Sequence, residues 1–300
     1  MGGGFYSSAN ASTRNATLNY SSVTANSLGT AFKQQAERKA HESMASQNVI
    51  LREARDSDDH PNTIPVQLYL DVTGSMGGIP ASLISGDFIK LMSQLLQRVH
   101  KDVCLMFGAI GDHECDNFPL QIGQFEASDE LLEMWLTRTY IEKGGGGNTG
   151  ESYLLAWYFA AWHTKTDSFE KRGQKGIVIT IGDEPCLMTL PNKAIQEVMG
   201  ESAVLSQKGY YTAEELLKLA SMENHVFHIN LASNAQSKWE QIAPEHVIYV
   251  DSQNKVVDAI LAKTEQFYKK SGNSNSKMDF KNSAPTKDSS KPSVKPEEIL

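Results

Sequence analysis

Three short apolar runs, each ending on an acid-bearing turn, constrain this chain more than any other feature. Residues 66–70 (VQLYL) run into Asp71, residues 103–110 (VCLMFGAI) stop at Gly111-Asp112, and residues 177–181 (IVITI) stop at Gly182-Asp183. Near-continuous apolar character marks strands buried on both faces, the pattern of a parallel sheet. Between them the period changes. Ile84, Phe88, Leu91, Leu95 and Val99 recur at helical spacing, with Pro80 placed for a first turn. Residues 131–140, 153–163, 213–222 and 256–268 read as further helices, and Leu155, Phe159 and Trp162 share a face. Residues 118–125 alternate loosely, as an edge strand does, and residues 225–231 and 246–250 read as two more strands. Strands alternating with amphipathic helices predict an α/β fold: a three-layer α-β-α, Rossmann-like arrangement about a mostly parallel sheet of about six strands.

The remainder divides around that domain. Residues 1–55 read as a polar N-terminal arm with a helix over about 31–46, residues 56–270 as the domain, and residues 271–300 as a disordered, Pro-dotted tail. The arm carries one charged side chain before residue 31, Arg14, and N-x-S/T triplets at Asn10, Asn15 and Asn19. With no basic-then-apolar leader, the triplets read as chance in an Asn/Ser-rich segment. Tyr6 stands where myristoylation wants Ser or Thr. The acidic stretch Asp56-Ser57-Asp58-Asp59-His60-Pro61 reads as a solvated turn rather than a metal site.

Composition excludes several classes. No apolar run approaches the ~20 residues that span a bilayer. A net charge of −8 argues against a nucleic-acid binder, whose phosphate contacts need clustered Lys and Arg. Three cysteines, Cys104, Cys115 and Cys186, make no disulfide framework, which points to a reducing, cytoplasmic setting.

Ligands of parallel α/β sheets sit at the carboxyl ends of the strands. Three turns fall there: Asp71-Val72-Thr73-Gly74-Ser75, the loop Gly144-Gly145-Gly146-Gly147-Asn148-Thr149-Gly150-Glu151-Ser152, and Gly182-Asp183-Glu184. They offer two carboxylates, Asp71 and Asp183, and three hydroxyls, Thr73, Ser75 and Thr149. Oxygen ligands without His or Cys suit a hard cation: Mg²⁺ or Mn²⁺, ahead of Ca²⁺. Hydroxyl ligands leave much of the ion's charge unneutralised, so it retains appetite for one outside anionic oxygen.

These residues carry a resemblance. Asp71-x-Thr73-x-Ser75 resembles the metal-ion-dependent adhesion site, D-x-[ST]-x-S, of von Willebrand factor A (VWA) domains. Gly146-Gly147-Asn148-Thr149 is similar to that family's second loop, and Asp183 to its third-loop aspartate. Phe107-Gly108-Ala109-Ile110-Gly111-Asp112-His113 resembles the G-x-x-D-H turn of its intracellular branch. The stretches GGGFYSS, REARDSDDHP, LDVTGSM, PLQIGQFE and GGGGNTGESY look like those of uncharacterised intracellular bacterial and phage VWA proteins. The resemblance implies Mg²⁺ or Mn²⁺ held through Thr73, Ser75 and Thr149, with Asp71 and Asp183 acting largely through water. It implies a protein partner whose Glu or Asp completes the shell, with an AAA-type ATPase or an assembly complex as the kind of partner. Asp112, Asn148, Glu151 and Glu184 lie beside these ligands, placed to tune charge or cap helices. Thr73 stands where Ser is commoner, and Asn148 where some relatives carry an acid.

Other chemistries fit less well. The glycine loop lacks the GK[ST] ending of a phosphate-binding loop. Asp-x-Thr-Gly-Ser is similar to the D-K-T-G-T motif of haloacid-dehalogenase phosphotransferases, whose aspartate is a nucleophile, but Val72 replaces the lysine and Thr73 the second acid. Asp112, His113, Cys115 and Asp116, with His163 and Asp167 further on, read as turn-forming rather than as a second metal site. The expectation is therefore a non-catalytic, metal-dependent protein-binding module. A structural or assembly protein with a vestigial site is the remaining alternative.

Overall fold

The computed structural model describes residues 34, 37–83, 87–142, 150–231 and 236–268. The arm before residue 34, the tail, Ile84, Asn148 and Thr149 lie outside the described residues. The strands are β1 (Arg52–Ala54), β2 (Ile64–Asp71), β3 (Val103–Ile110), β4 (Leu120–Ile122), β5 (Thr164–Thr166), β6 (Gly176–Gly182), β7 (Thr189–Pro191), β8 (Tyr210–Thr212), β9 (Asn224–Asn230) and β10 (Val247–Tyr249). The helices are α1 (Ile79–Ser82), α2 (Phe88–Arg98), α3 (Asp129–Arg138), α4 (Leu154–Trp162), α5 (Asp167–Arg172), α6 (Asn192–Met199), α7 (Ala213–Glu223), α8 (Gln236–Ile242) and α9 (Val256–Tyr268).

Six strands form the central sheet in the order β10-β9-β6-β2-β3-β4. All neighbours are parallel except β4, which closes the β3 edge antiparallel. The expected three-layer α/β architecture is what these elements build. Side chains alternate between the faces of β2. Val66, Leu68 and Leu70 enter a core with Leu95 of α2, Leu136 of α3 and Ile260 of α9. Tyr69 points the other way, into a core with Trp157 of α4, Ile195 of α6 and Leu216 of α7.

This connectivity sets the site. From β2 the chain passes through α2, on one face, into β3, whereas from β6 it passes through α6 and α7, on the other face, into β9. Connections that leave neighbouring strands on opposite faces open a crevice at their carboxyl ends. That crevice lies between β2 and β6, which pair through Leu70 and Ile181 one residue before Asp71 and two before Asp183.

Two expectations change. The helix over 31–46 is not continuous: residues 42–44 and 46–48 form 3₁₀ turns, and Ala45 bridges Gln121. Nor does the domain begin at residue 56. Met44, Val49 and Ala54 are buried, and β1 pairs in parallel with β5. Full burial of a side chain the size of Met44 contributes about 1.5–3 kcal/mol, so this stretch belongs to the fold. Asp58 and Asp59 are exposed as expected of a turn, whereas Asp56 accepts hydrogen bonds from the Thr63 hydroxyl and from Arg172. β7 and β8, a short antiparallel ribbon between β6 and α7, carried no clear signal in the sequence.

Candidate metal centre

β2 ends on Asp71, whose side chain is fully buried. The chain turns at once, because Asp71 captures it: Oδ1 accepts the Thr73 backbone N–H at 2.9 Å and the Thr73 hydroxyl at 2.6 Å. Aspartate oxygens commonly nucleate such turns two residues on. A 3₁₀ turn follows over Gly74–Met76, anchored by buried Met76, and presents Ser75 at the surface. The Ser75 hydroxyl donates to Asp183 Oδ1 at 2.9 Å across the crevice from the end of β6. Thr73 Oγ1 and Ser75 Oγ stand 3.2 Å apart.

Four of the five expected ligands, Asp71, Thr73, Ser75 and Asp183, thus form one connected row. The fifth, Thr149, and its neighbour Asn148 lie outside the described residues. Glu151 is buried and close enough to Asp71 for their charges to interact. Its N–H donates to Pro185 O at 3.0 Å, which ties the second loop to the third. Asp112 is buried at the end of β3 and accepts from Glu114 N–H at 3.0 Å, while its own N–H donates to Asp116 at 2.7 Å. Residues 112–116 form a hydrogen-bonded turn. His163 and Asp167 serve elsewhere: His163 Nδ1 contacts Ile50 O at 2.8 Å, and Asp167 pairs with Arg55.

The donor set fits a hard cation. Each hydroxyl has one hydrogen, and the carboxylates take both, Thr73 giving to Asp71 and Ser75 to Asp183. The hydroxyl oxygens also lie 3.2 Å apart, within hydrogen-bond reach of each other and close enough to share one cation. Neighbouring oxygens of an octahedral Mg²⁺ shell lie about 2.9 Å apart for ~2.05 Å bonds, close to this spacing. Among the described residues no three His, Cys, Asp or Glu side chains gather as a metal group. A site built on hydroxyls with two carboxylates behind them does not require one.

The electrostatics agree. Burial pushes Asp71 up to about 7, against its hydrogen bonds from Thr73 and Tyr153, and Asp183 adds to the rise. Burial and then the charges of Asp71, Asp112, Asp116 and Glu184 push Glu151 up to about 9. Burial and Asp183 raise Glu184. Asp112 Oδ2 and Glu151 Oε2 are buried without a hydrogen-bond partner. Burial and mutual repulsion raise Asp71, Glu151 and Glu184, a cost that a bound cation would relieve, while Lys238 acts the other way on Glu184.

Sequence reading missed Tyr153. It was read as one more residue of an apolar helix, yet its hydroxyl donates to Asp71 Oδ2 at 2.7 Å from full burial. The available signal was Gly182, where a Cβ would overlap the tyrosine hydroxyl. Trp239 was also missed: its indole N–H donates to Glu184 O at 3.2 Å.

No protein-family model matches the chain, and no curated protein matches it. Among solved structures it is similar to the pilus adhesin SpaC from Lactobacillus rhamnosus GG, at 11% identity and a TM-score of 0.46, over 72% of this chain and 31% of that one. It is also similar to proximal thread matrix protein 1 from the mussel byssus, at 13% identity and a TM-score of 0.44, over 67% of this chain and 47% of that one. The chain spans less than half the length of either. Among the described residues no helix is long and apolar enough to cross a membrane.

Proposed function

We propose that this protein is a metal-ion-dependent protein-binding module of the VWA type, and that it recognises an acidic side chain of a protein partner without catalysing a reaction. The observation that carries the reading is the row Asp71–Thr73–Ser75–Asp183. In it two carboxylates accept from two hydroxyls, whose oxygens stand 3.2 Å apart at the β2–β6 crevice. Thr73 and Ser75 would hold Mg²⁺ or Mn²⁺, with Thr149 as a third hydroxyl and Asp71 and Asp183 acting as hydrogen-bond acceptors behind them. Once bound, the ion supplies positive charge and a coordination position for a carboxylate oxygen. The chain's own residues orient the hydroxyls and keep the acids close without closing the shell. Strand ends hold such a constellation tightly. The partner class suggested by the sequence resemblance is an AAA-type ATPase or an assembly complex. Free cysteines, two of them buried, suit a cytoplasmic setting.

A phosphotransferase reading fits poorly with Asp71. A nucleophilic carboxylate needs an oxygen free to attack. Here Oδ1 accepts two hydrogen bonds and Oδ2 a third, and the side chain is fully buried.

Calorimetry with Mn²⁺ tests the proposal. One saturable site is expected, lost in Ser75→Ala, and partner capture should depend on the ion and cease in EDTA. Undiminished Mn²⁺ binding by Ser75→Ala overturns the ligand assignment. Labelling of Asp71 by a phosphoryl donor overturns the non-catalytic reading.

A further inference from the structure

The two loops that carry Asp71 and Asp183 rest on one buried aromatic block. Tyr153, at the start of α4, sends its hydroxyl to Asp71 Oδ2 at 2.7 Å. Trp239, on α8, sends its indole N–H to the carbonyl of Glu184, next to Asp183. The two rings lie 5.5 Å apart. His228 of β9 joins them, stacked on Trp239 at 3.7 Å and edge-on to Tyr153 at 4.8 Å. Thr180 of β6 holds the imidazole through Nδ1 at 2.9 Å. All three aromatic side chains are fully buried. Gly182 completes the fit, since any larger residue there would displace the tyrosine hydroxyl.

We propose that Tyr153 and Trp239 are positioning residues for the cation: together they set how Asp71 and Asp183 stand relative to each other, and so how the Thr73 and Ser75 hydroxyls face the ion. This rests on the metal-binding reading above and deepens it. Asp71 cannot reorient on its own. Its Oδ1 is committed to Thr73 and its Oδ2 to Tyr153, so the phenol and the threonine together fix the plane of the carboxylate. Removing the phenol leaves a buried carboxylate oxygen unpaired and frees the carboxylate to rotate away from Thr73. Removing the indole N–H unties the Glu184 carbonyl and lets the Asp183 turn drift from Ser75. Partners that orient ligands in this way typically change metal affinity by about 10–100-fold when lost.

The test compares wild type, Tyr153→Phe and Trp239→Phe, both of which keep an aromatic ring. Mn²⁺ affinity is measured by calorimetry, and the melting temperature is recorded in EDTA and in saturating Mn²⁺. The expected result is an Mn²⁺ affinity weakened by about 10–100-fold in Tyr153→Phe, a smaller loss in Trp239→Phe, and a reduced Mn²⁺-induced rise in melting temperature in both. A purely structural contribution would lower the EDTA melting temperature while leaving affinity and the Mn²⁺-induced rise at wild-type values, and that result overturns the proposal. Should Tyr153→Phe fail to fold, wild-type affinity in Trp239→Phe overturns it equally. Wild type that takes up no Mn²⁺ overturns the metal-binding reading itself, an outcome distinct from variants that bind as wild type does.

Discussion

Asp71 and Asp167 are the same residue type and both expose almost no surface, yet their depth and their neighbours drive them in opposite directions. Asp167 lies where the N-terminal segment meets β5 and α5. It pairs with Arg55 at 2.9 Å and Lys171 at 2.7 Å, and accepts the Asp56 N–H at 2.9 Å. Burial would raise its carboxyl, but Lys171, the Asp56 N–H and Arg55 together hold it down at about 2. Asp71 meets hydroxyls, a backbone N–H and another acid, and burial pushes it up to about 7. Asp71 lies deep and Asp167 near the surface, and their neighbours widen the difference, with cations at one and hydroxyls and another acid at the other. In the seam the chain supplies its own cations. At the strand ends none of the described groups acting on Asp71 is a cation.

The largest way to sharpen this contrast is to add the ion. Mg²⁺ at 100 times its Kd should stabilise the folded chain by about 2.7 kcal/mol, read as a rise in melting temperature. Ser75→Ala should erase that rise and Asp167→Asn should not. Next comes the seam. Asp167→Asn removes a buried charge that answers Arg55 and Lys171 and should cost about 1.5–3 kcal/mol, with or without Mg²⁺, in urea unfolding. A loss confined to ion-free protein would break the separation of the two regions.

The pH dependence should show two limbs of opposite sign. Asp167, depressed to about 2 in the folded chain, contributes stability that is present above its unfolded pKa near ~4 and is lost as pH falls toward 2. Asp71 and Glu151, raised to about 7 and about 9, make the folded chain bind more protons than the unfolded one. Stability of the ion-free chain therefore falls as pH rises from ~4 through those values. Unfolding in EDTA between pH 2.5 and 9 should give a maximum near the lower middle of that range, and Mg²⁺ should flatten the alkaline limb. A flat alkaline limb in EDTA would contradict the account of the site. Glu151→Gln, which removes one of the crowded acids, should raise the ion-free melting temperature at pH 8 and shorten the alkaline limb. A clear drop would mean that Glu151 has a stabilising partner there.

What could be read in advance follows the range of each interaction. The buried runs of β2, β3 and β6 declare themselves through five to eight consecutive residues, and α9 falls at its expected bounds, 256–268. The Asp71–Thr73 turn is legible for the same reason: donor and acceptor are two residues apart. Residues 41–55 were read as an arm because they are polar on average. Burial of Met44, Val49 and Ala54 goes with contacts 70 or more positions away, such as the Ile122 carbonyl that receives Arg52. Tyr153 falls in the stretch 153–163 that reads only as a helix, and its hydroxyl reaches Asp71 because Gly182 leaves room for it beside β6.

Local patterning by itself determined the α/β layering, the strand ends at which acids and hydroxyls collect, and the turn that folds Thr73 back onto Asp71. Those depend on periodicity and on hydrogen bonds between near neighbours, which no distant contact is needed to satisfy. Tertiary structure alone decided that Ser75 meets Asp183 from 108 positions away and that Tyr153 reaches Asp71 from 82 positions away. The same holds for the N-terminal segment, which brings its own arginine to Asp167 from 112 positions away. Such pairings are selected by the sheet order and by what the core leaves room for, and neither is written in any short window of the chain.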